Sequence, residues 1–270
     1  MLGRTLCALI FYDIIIEEVM KTVKIADIKM MLDRAGREDL PPLLERFAAD
    51  HRVGVRKMVE SYKMRHTKDI MEAKRVEGML LFEHKYADRY AAICGVDEAG
   101  AGPLAGPVVA AAVIMPTGLT IAGVDDSKKL SEKRREELAG KIFEAAIAHQ
   151  LTFIDNDEID ETNILQARLK AMKMAVEGLL PAADFALVDG HMGLQLKIPS
   201  VAIEKGDSRS HSIACASILA KVARDKLMED YNEEWPNYGF ARHKGYGTKE
   251  HIEAIKTYGL CPIHRKTFIR

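Results

Sequence analysis

The stretch that decides the fold is AICGVDEAGAGPLAGPVVAAAVIM, residues 92–115. Ala92 to Val96 is short and apolar, and Pro107 to Met115 is an apolar run of nine residues. A short apolar run of this kind is typical of a buried strand. A loop rich in glycine and proline separates the two runs, which predicts a hairpin. Residues 92–115 therefore predict the start of a sheet that is covered on both faces.

Downstream of this hairpin, the sequence pattern alternates between strands and helices. Ser131 is a suitable N-cap for the first predicted helix. The predicted helices and strands are a helix from Ser131 to about Gln150, a strand at Leu151 to Ile154, a helix at Thr162 to Leu180, strands at Phe185 to Val188 and Lys197 to Glu204, and helices at Ser210 to Tyr231 and Thr248 to Tyr258. Mixed elements of these lengths predict an α/β layer domain over residues 92–270.

Upstream of the hairpin, residues 20–91 are poor in glycine and follow a helical period. The apolar positions predict four helices: one from Ile25 that stops at Gly36, one around Leu40 to Phe47, one around Val55 to Tyr62, and one over Asp69 to Arg89. Residues 21–94 hold 16 Lys and Arg against 12 Asp and Glu. This basic balance indicates either a solvated helical surface or a nucleic-acid contact, and the pattern leaves both open.

Composition excludes several classes of protein. With 270 residues, 48% of them hydrophobic, the chain can bury a large core. The four cysteines form no C-x-x-C pair, which favours a reducing compartment, here the cytoplasm. The apolar stretch from Thr5 to Ile16 is too short to span a membrane, and we expect residues 1–19 to be a dispensable extension. The net charge of −1 does not by itself indicate a nucleic-acid ligand.

Four carboxylates follow apolar elements and lie close to glycine. Asp97 and Glu98 follow the first apolar run, Asp189 ends FALVDG, and Asp207 follows Lys-Gly at the start of the long helix. An ionised carboxylate beside a buried strand is costly unless it is paired or bound to a metal. Four such groups without thiolate or imidazole neighbours suit a hard ion such as Mg²⁺ or Mn²⁺. Because Asp97 and Glu98 point to opposite faces of a regular strand, we expect the strand to bend or end there.

Five motifs, taken in order over residues 93–266, resemble bacterial ribonuclease HII. They are GVDEAGAGPLAGPVVAAAVI, DDSKKLSEKRREEL, LVDG, KGDSRSHSIACASILAKVARD and HKGYGTKEH followed by GLCPIHR. The resemblance implies a ribonuclease H-like fold, a five-stranded mixed β-sheet flanked by helices. The helical region, about 70 residues, is similar to the extension found on some bacterial members.

The resemblance also implies an activity and its catalytic residues. The family cleaves RNA in RNA–DNA hybrids and nicks DNA duplexes 5′ of an embedded ribonucleotide, leaving a 3′-hydroxyl and a 5′-phosphate. Its metal-binding carboxylates fall on Asp97, Glu98, Asp189 and Asp207, which are the residues that the strand ends had indicated. Divalent ions held there activate the attacking water and stabilise the leaving oxygen.

Recognition of the ribonucleotide is expected from a loop and a tyrosine. In the family a Gly-Arg-Gly loop and a tyrosine read the 2′-hydroxyl, which distinguishes RNA from DNA. The tyrosine matches Tyr246, and the loop matches Gly100, Ala101 and Gly102, so that alanine stands where the family has arginine. The main-chain groups remain, but the guanidinium is lost.

Other basic positions have two interpretations each. Ser127, Lys128 and Lys129 match a phosphate-facing loop of the family, or they form an exposed lead-in to the next helix. Lys221 and Arg224 either contact nucleic acid or pair with acidic neighbours such as Asp225. His264 and Arg265 either lie near the site or anchor the C-terminal tail.

Three functions remain open at this point. The chain is an active, monomeric ribonuclease H, a nucleic-acid binder weakened by Ala101, or a related metal nuclease such as a junction resolvase. Intact carboxylates at the four positions argue against the second function, and the SKKL and GYGTKEH motifs argue against the third.

Overall fold

The computed structural model describes residues 23–269, which fall into two compact units divided between Lys74 and Arg75. The first unit holds three helices, α1 (Ile25–Arg34), α2 (Leu40–Ala48) and the larger part of α3 (Val53–Gly78). Its small core is built from one apolar face of each helix, by Ile28, Leu32, Leu40, Leu44, Phe47, Val55, Val59 and Tyr62.

The helical region differs from the sequence prediction at its third and fourth helices. α3 runs without a break to Gly78, and a separate short helix, α4 (Leu81–Ala87), follows. No glycine or proline lies between Tyr62 and Asp69, so nothing in the sequence interrupts the helix there.

The division between the units also differs from the predicted boundary between residues 91 and 92. From Arg75 onward the chain packs with the sheet unit: Arg75 donates to the carbonyl of Val124 at 2.6 Å. Tyr86 and Tyr90 stack on Phe185. Residues 75–91, the end of the predicted helical region, are therefore part of the second compact unit. Residues 1–19 lie outside the described part of the chain, and their dispensability stays a prediction.

The second unit holds one sheet and the helices that flank it. In chain order its elements are β1 (Ile93–Ala99), β2 (Val108–Ile114), α5 (Glu132–Ala145), β3 (Ala148–Ile154), α6 (Asn156–Glu161), α7 (Ile164–Glu177), β4 (Phe185–Asp189), β5 (Ser200–Ile203), α8 (His211–Glu234), α9 (Phe240–His243) and α10 (Lys249–Tyr258). Side-chain oxygens of Ser131, Asn163, Ser210 and Thr248 cap the helices that follow them.

The five strands form one mixed sheet in the order β3-β2-β1-β4-β5. β1 and β2 pair antiparallel as the predicted hairpin, and β1 and β4 pair parallel. Apolar clusters cover both faces of the sheet, one including residues of α7 and the other residues of α5 and α8. This confirms the five-stranded mixed sheet flanked by helices and the ribonuclease H-like fold.

Two differences from the predicted element boundaries bear on the site. The helix from Ser131 ends at Ala145, since residues 148–150 pair with β2 as part of β3. Asp207 lies in a short 3₁₀ turn, Gly206–Ser208, and α8 begins only at His211. Among the described residues, no helix is long and apolar enough to cross a membrane.

Candidate active site

The four predicted carboxylates come from three segments that meet at one edge of the sheet. β1 and β4 are parallel neighbours, so their carboxyl ends, with Asp97, Glu98 and Asp189, lie at the same edge. The turn that holds Asp207 is tied to this edge, because the Gly206 N–H donates to Asp189 Oδ1 at 2.7 Å. A Cβ on Gly206 would lie 2.6 Å from the Ile213 side chain and 3.2 Å from Asp189 Oδ1. Glycine therefore permits this close approach.

The sequence had predicted that β1 bends or ends at Asp97 and Glu98, but the strand does not end there. The strand continues to Ala99, with Asp97 opposite Ala111 and Glu98 opposite Ala110 in β2. The pair therefore lies inside a regular ladder, yet each carboxylate still interacts electrostatically with Asp189.

Asp97 is the most buried of the four carboxylates, with 3% of its surface exposed. Burial, with the nearby negative charges of Glu98 and Asp189, raises the pKa of Asp97 well above its usual range. The Ser217 side chain and the main-chain N–H of Glu98, which donates to Asp97 Oδ1 at 2.7 Å, oppose this rise. The negative charge of Asp97 is therefore only partly compensated by the protein.

Glu98 has one compensated and one uncompensated oxygen. Arg168 of α7 lies 2.6 Å from Oε1, while Oε2 is buried and has no hydrogen-bond partner in the described part of the chain. Burial raises the pKa of Glu98, the charge of Arg168 opposes the rise, and Asp189 adds to it. A buried carboxylate oxygen without a donor is costly, which favours a cation as its partner.

Asp207 faces a lysine of the predicted phosphate loop. Lys128 Nζ lies 3.6 Å from Asp207 and 3.9 Å from Asp126. Burial, together with Asp126 and Asp189, raises the pKa of Asp207, and Lys128 opposes this. Burial disfavours the charged form of Lys128, but Asp97, Asp126 and Asp207 outweigh it and raise the pKa of the lysine.

The donor set fits a hard divalent cation. Among residues 23–269, no three Asp, Glu, His or Cys side chains are already arranged as a metal-binding group, and Arg168 and Lys128 lie against two of the four carboxylates. All four candidates nevertheless offer carboxylate oxygens, and burial, with a contribution from neighbouring carboxylates, raises the pKa of three of them. Oxygen-rich, anionic groups of this kind suit Mg²⁺ or Mn²⁺.

The predicted recognition loop and its tyrosine are brought together. A Cβ built on Gly102 would lie 3.7 Å from Tyr246 Cε1, so the ring faces the loop directly. Tyr246 is 46% exposed, which leaves one side of its ring open to a ligand. Gly100 has φ +93°, and a Cβ there would collide with Arg224, so this position requires glycine. Ala101 is half-buried between the two glycines.

Two buried arginines, Arg224 and Arg265, pack against the recognition loop, Gly100 to Gly102. Arg265 is fully buried and donates to the main-chain carbonyls of Gly100 at 2.7 Å, Ala101 at 3.1 Å and Gly106 at 2.9 Å. Burial lowers the pKa of Arg265 to about 9, and the charge of Arg224 contributes. The sequence had left open whether Arg265 lies near the site or anchors the tail, and the structure places it beside the recognition loop.

Arg224 corrects one sequence prediction. Its side chain is 1% exposed and donates to the carbonyls of Ala105, Pro107 and Lys244, so it does not reach the surface as a nucleic-acid contact. Instead, it links Ala105 and Pro107, which follow the recognition loop, to Lys244, which precedes Tyr246. Burial lowers the pKa of Arg224 to about 10, which leaves it charged at neutral pH.

The remaining predicted contacts divide into two groups. Lys221 pairs with Asp225 at 2.5 Å in a mostly buried position, which is the alternative that the sequence had left open. Ser127 is buried and hydrogen-bonds Ser217 at 2.9 Å, so it supports the Asp97 side of the site rather than facing solvent. Lys128 and Lys129 are exposed, and each pairs with an acidic side chain: Lys128 with Asp126 and Asp207, and Lys129 with Asp125 at 3.0 Å.

A buried histidine network supports Tyr246 from the other side. The His251 ring hydrogen-bonds the Tyr246 carbonyl at 3.0 Å and the His264 ring at 3.0 Å. Burial lowers the pKa of His251 to about 4, so the ring is neutral at neutral pH. His264 therefore anchors the tail and supports the tyrosine segment.

Sequence reasoning missed Arg168 and Ser217. Arg168 is a cation on the apolar helix α7, which is an available signal, but its pairing with Glu98 depends on how α7 crosses the sheet. Ser217 lies among small buried residues of α8, where a hydroxyl facing a carboxylate has no local signature.

Comparison with known proteins agrees with this geometry. The family model for ribonuclease HII matches residues 94–270, and the model for the ribonuclease HII N-terminal domain matches residues 24–87. A ribonuclease HII of Ruminiclostridium cellulolyticum is 48% identical over 246 residues, covering 90% of this chain and 96% of the relative. One from Clostridioides difficile is 44% identical, covering 93% of this chain and 99% of the relative.

Solved structures give the same result for the sheet unit. The crystal structure of ribonuclease H2 from Pyrococcus horikoshii is 27% identical, with a TM-score of 0.55, and the match covers 65% of this chain and 92% of that one. These matches do not favour the weakened binder or the junction resolvase. The chain belongs to the ribonuclease HII family, the type 2 ribonucleases H, which are hydrolases that act on RNA in RNA–DNA hybrids.

Proposed function

We propose that Asp97, Glu98, Asp189 and Asp207 bind the divalent ions, Mg²⁺ or Mn²⁺, on which this metal-dependent family relies. The observation that carries the proposal is the meeting of these carboxylates at one sheet edge, with the buried Oε2 of Glu98 lacking a donor. When bound, the ions would supply an activated water and charge neutralisation at the scissile phosphate.

The protein's own part in the reaction is positioning and electrostatics. Gly206 fixes the Asp189 side chain through its main-chain N–H, and Ser217 with the Glu98 N–H fixes Asp97. Arg168 holds Glu98 on one oxygen. Lys128, opposite Asp207, provides a cation that can turn toward the phosphodiester.

We further propose that the enzyme nicks DNA duplexes 5′ of an embedded ribonucleotide, leaving a 3′-hydroxyl and a 5′-phosphate. Gly100, Ala101 and Gly102 would contact the 2′-hydroxyl through main-chain groups, and Tyr246 would lie against the same nucleotide. The support is the close approach of the Tyr246 ring to Gly102 and the exposure of both. Lys129 would join Lys128 at the phosphates. We propose a monomer that acts in the cytoplasm.

The test is a cleavage assay on matched duplexes. A DNA duplex with one ribonucleotide is incubated with Mn²⁺ or Mg²⁺ and compared with an RNA–DNA hybrid, an all-DNA duplex and a four-way junction. We expect a single nick 5′ of the ribonucleotide, with a 3′-hydroxyl that a DNA polymerase extends and a 5′-phosphate that a phosphatase removes from the ribonucleotide end. Cleavage of the junction, or of the all-DNA duplex at a similar rate, would contradict the proposal.

A further inference from the structure

A groove of about 490 Å³ opens beside the candidate active site. One wall is the segment from Arg75 to Lys85, and the other walls hold Lys129 and Arg209. All of its lining residues belong to the second compact unit. Apolar side chains line part of it, including Phe82 and Leu81, the latter 70% exposed.

The groove carries positive charge that the protein does not neutralise. Four cations line it, and the single lining carboxylate is Asp125, which pairs with Lys129 at 3.0 Å and with Arg75 at 3.9 Å. Lys85 and Arg209 are exposed and have no carboxylate within 4 Å among residues 23–269. Each lies over an aromatic ring instead: Lys85 over Tyr86 at 5.3 Å, Arg209 over Phe82 at 5.2 Å.

Other surface lysines of the same unit behave differently. Lys170, Lys173 and Lys256 each lie within 4 Å of a glutamate, on α7 and α10. Such paired cations contribute little to binding an external anion, because a neighbouring carboxylate already neutralises them. The unpaired cations of the groove are therefore the ones available to an anionic ligand.

Two chain segments connect the groove to the acidic site. Lys129 follows Lys128, which lies 3.6 Å from Asp207, and Arg209 is two residues after Asp207. At both of these segments, residues of the acidic site and residues that line the groove are therefore neighbours along the chain. This continuity favours the nucleic-acid substrate over an unrelated acidic protein as the ligand.

We propose that the groove binds the sugar–phosphate backbone of the substrate duplex on one flank of the scissile bond. The proposal rests on the proposed function for the site of the phosphate and adds a second contact surface. Lys85 and Arg209 bind phosphates, and the apolar side chains between them face the sugars. Because Lys85 and Phe82 belong to the segment before the sheet, the end of the helical region takes part in substrate binding.

The test is the salt dependence of duplex binding. The double variant Lys85→Gln/Arg209→Gln is compared with Lys173→Gln/Lys256→Gln, which removes the same charge from paired surface lysines. Fluorescence anisotropy with a labelled RNA–DNA hybrid in EDTA measures Kd over a range of KCl concentrations. Each lost phosphate contact lowers the slope of log Kd against log salt by about 0.9 for a duplex, so we expect a decrease of about 1–2 in the groove variant. The control should keep the parent slope.

Two further measurements separate this proposal from the proposed function. At saturating enzyme, the single-turnover cleavage rate of the groove variant should stay within about two-fold of the parent, because no carboxylate changes. The variant Lys85→Arg/Arg209→Lys should restore the slope. An unchanged slope in the Gln variant, or an equal decrease in the control, would overturn the groove proposal. A parent protein that binds but does not cleave the hybrid would instead contradict the proposed function.

Discussion

Two buried groups of charges of opposite sign meet at the candidate site, and the protein treats them differently. The acidic group at the sheet edge has raised pKa values at Asp97, Glu98 and Asp207, and one of its oxygens lacks a donor. The two arginines beneath the recognition loop are at least as buried, yet main-chain carbonyls accept hydrogen bonds from both. The acidic group therefore needs an external partner, whereas the arginines have theirs within the fold.

This difference in charge compensation distinguishes carboxylates that can bind a metal ion from arginines that position the main chain. Carboxylates whose charge is not compensated can exchange a proton or a neighbouring cation for a metal ion. Arg224 and Arg265 give their donors to carbonyls and have no such freedom. They fix where the loop lies, and we expect changes there to act on the loop rather than on the chemistry.

The largest expected effect is on the acidic side. Asp189→Asn keeps the oxygen that accepts from Gly206 but removes the charge. Cleavage should fall at least about 100-fold, because changes to the outer partners of a metal site alone cost about 10–100-fold. Hybrid binding in EDTA should remain. The measurement is single-turnover cleavage with Mn²⁺.

Asp184→Asn is the matched control for this variant. Asp184 precedes the opposite end of β4 and accepts from the N–H groups of Ala91 and Ala92. Its activity should stay within about two-fold of the parent, as for a group outside the acidic site. Comparable activity of the Asp189 and Asp184 variants would show that Asp189 does not hold a metal.

Substitution of a buried arginine should reduce activity less than substitution of Asp189, and the reduction should be in kcat/KM rather than in metal affinity. Arg265→Lys places all donors on one nitrogen, which cannot reach the three carbonyls that Nε, Nη1 and Nη2 of the arginine contact separately. Each buried group left unsatisfied costs about 1–3 kcal/mol. We expect kcat/KM on a single-ribonucleotide duplex to fall about ten-fold, with Mn²⁺ affinity unchanged by calorimetry. Arg52→Lys, which changes an arginine that donates to the Val23 carbonyl in the helical unit, is the control for general destabilisation. A loss of Mn²⁺ affinity in Arg265→Lys would remove the distinction between the two groups.

The two groups were not equally predictable from the sequence. The carboxylates were predicted because each follows an apolar strand or turn close to a glycine, a local pattern. The contacts of Arg265 with Gly100 and Arg168 with Glu98 join residues 165 and 70 positions apart. No local pattern encodes them, since they arise only when helices and the tail pack on the sheet. The same packing explains why residues 148–150 form strand rather than helix.

The third prediction uses the departure from the family loop. Ala101→Arg restores a guanidinium between Gly100 and Gly102, where the Ala101 carbonyl is already fixed by Arg265 at 3.1 Å. A charge-assisted hydrogen bond to the phosphodiester is worth about 1.5–3 kcal/mol. This corresponds to about ten-fold or more in kcat/KM when felt in the transition state. The measurement compares both proteins on one single-ribonucleotide duplex at fixed salt and Mn²⁺. Equal values would show that the loop acts through its main chain alone.

The double variant Ala101→Arg/Arg265→Lys tests whether Arg265 positions the recognition loop. If Arg265 positions the loop, the gain from Ala101→Arg should shrink in the Arg265→Lys background, because residues in contact do not contribute additively. Full additivity of the two changes would indicate that Arg265 stabilises the fold without positioning Ala101.

The smallest expected effect is on stability, and it tests the acidic group without any catalysis. A carboxyl whose pKa is raised in the folded protein favours folding while it is protonated; for Asp97 this holds below the ordinary value of 3.8 and is lost as pH rises through the raised pKa. At pH 8 in EDTA, Asp97 is ionised in the unfolded chain while burial in the folded protein disfavours that charge, so Asp97 opposes folding and Asp97→Asn should raise the Tm. A gain of about 1 kcal/mol corresponds to about 2–4 °C in a chain of this size.

The difference in Tm between the parent and Asp97→Asn should disappear near pH 4. Added Mn²⁺ should raise the Tm of the parent more than that of the variant, because the ion needs the charge that the variant lacks. A lower Tm for Asp97→Asn at pH 8 would mean that Ser217 and the Glu98 N–H compensate the charge fully, and that the acidic group resembles the arginine pair after all.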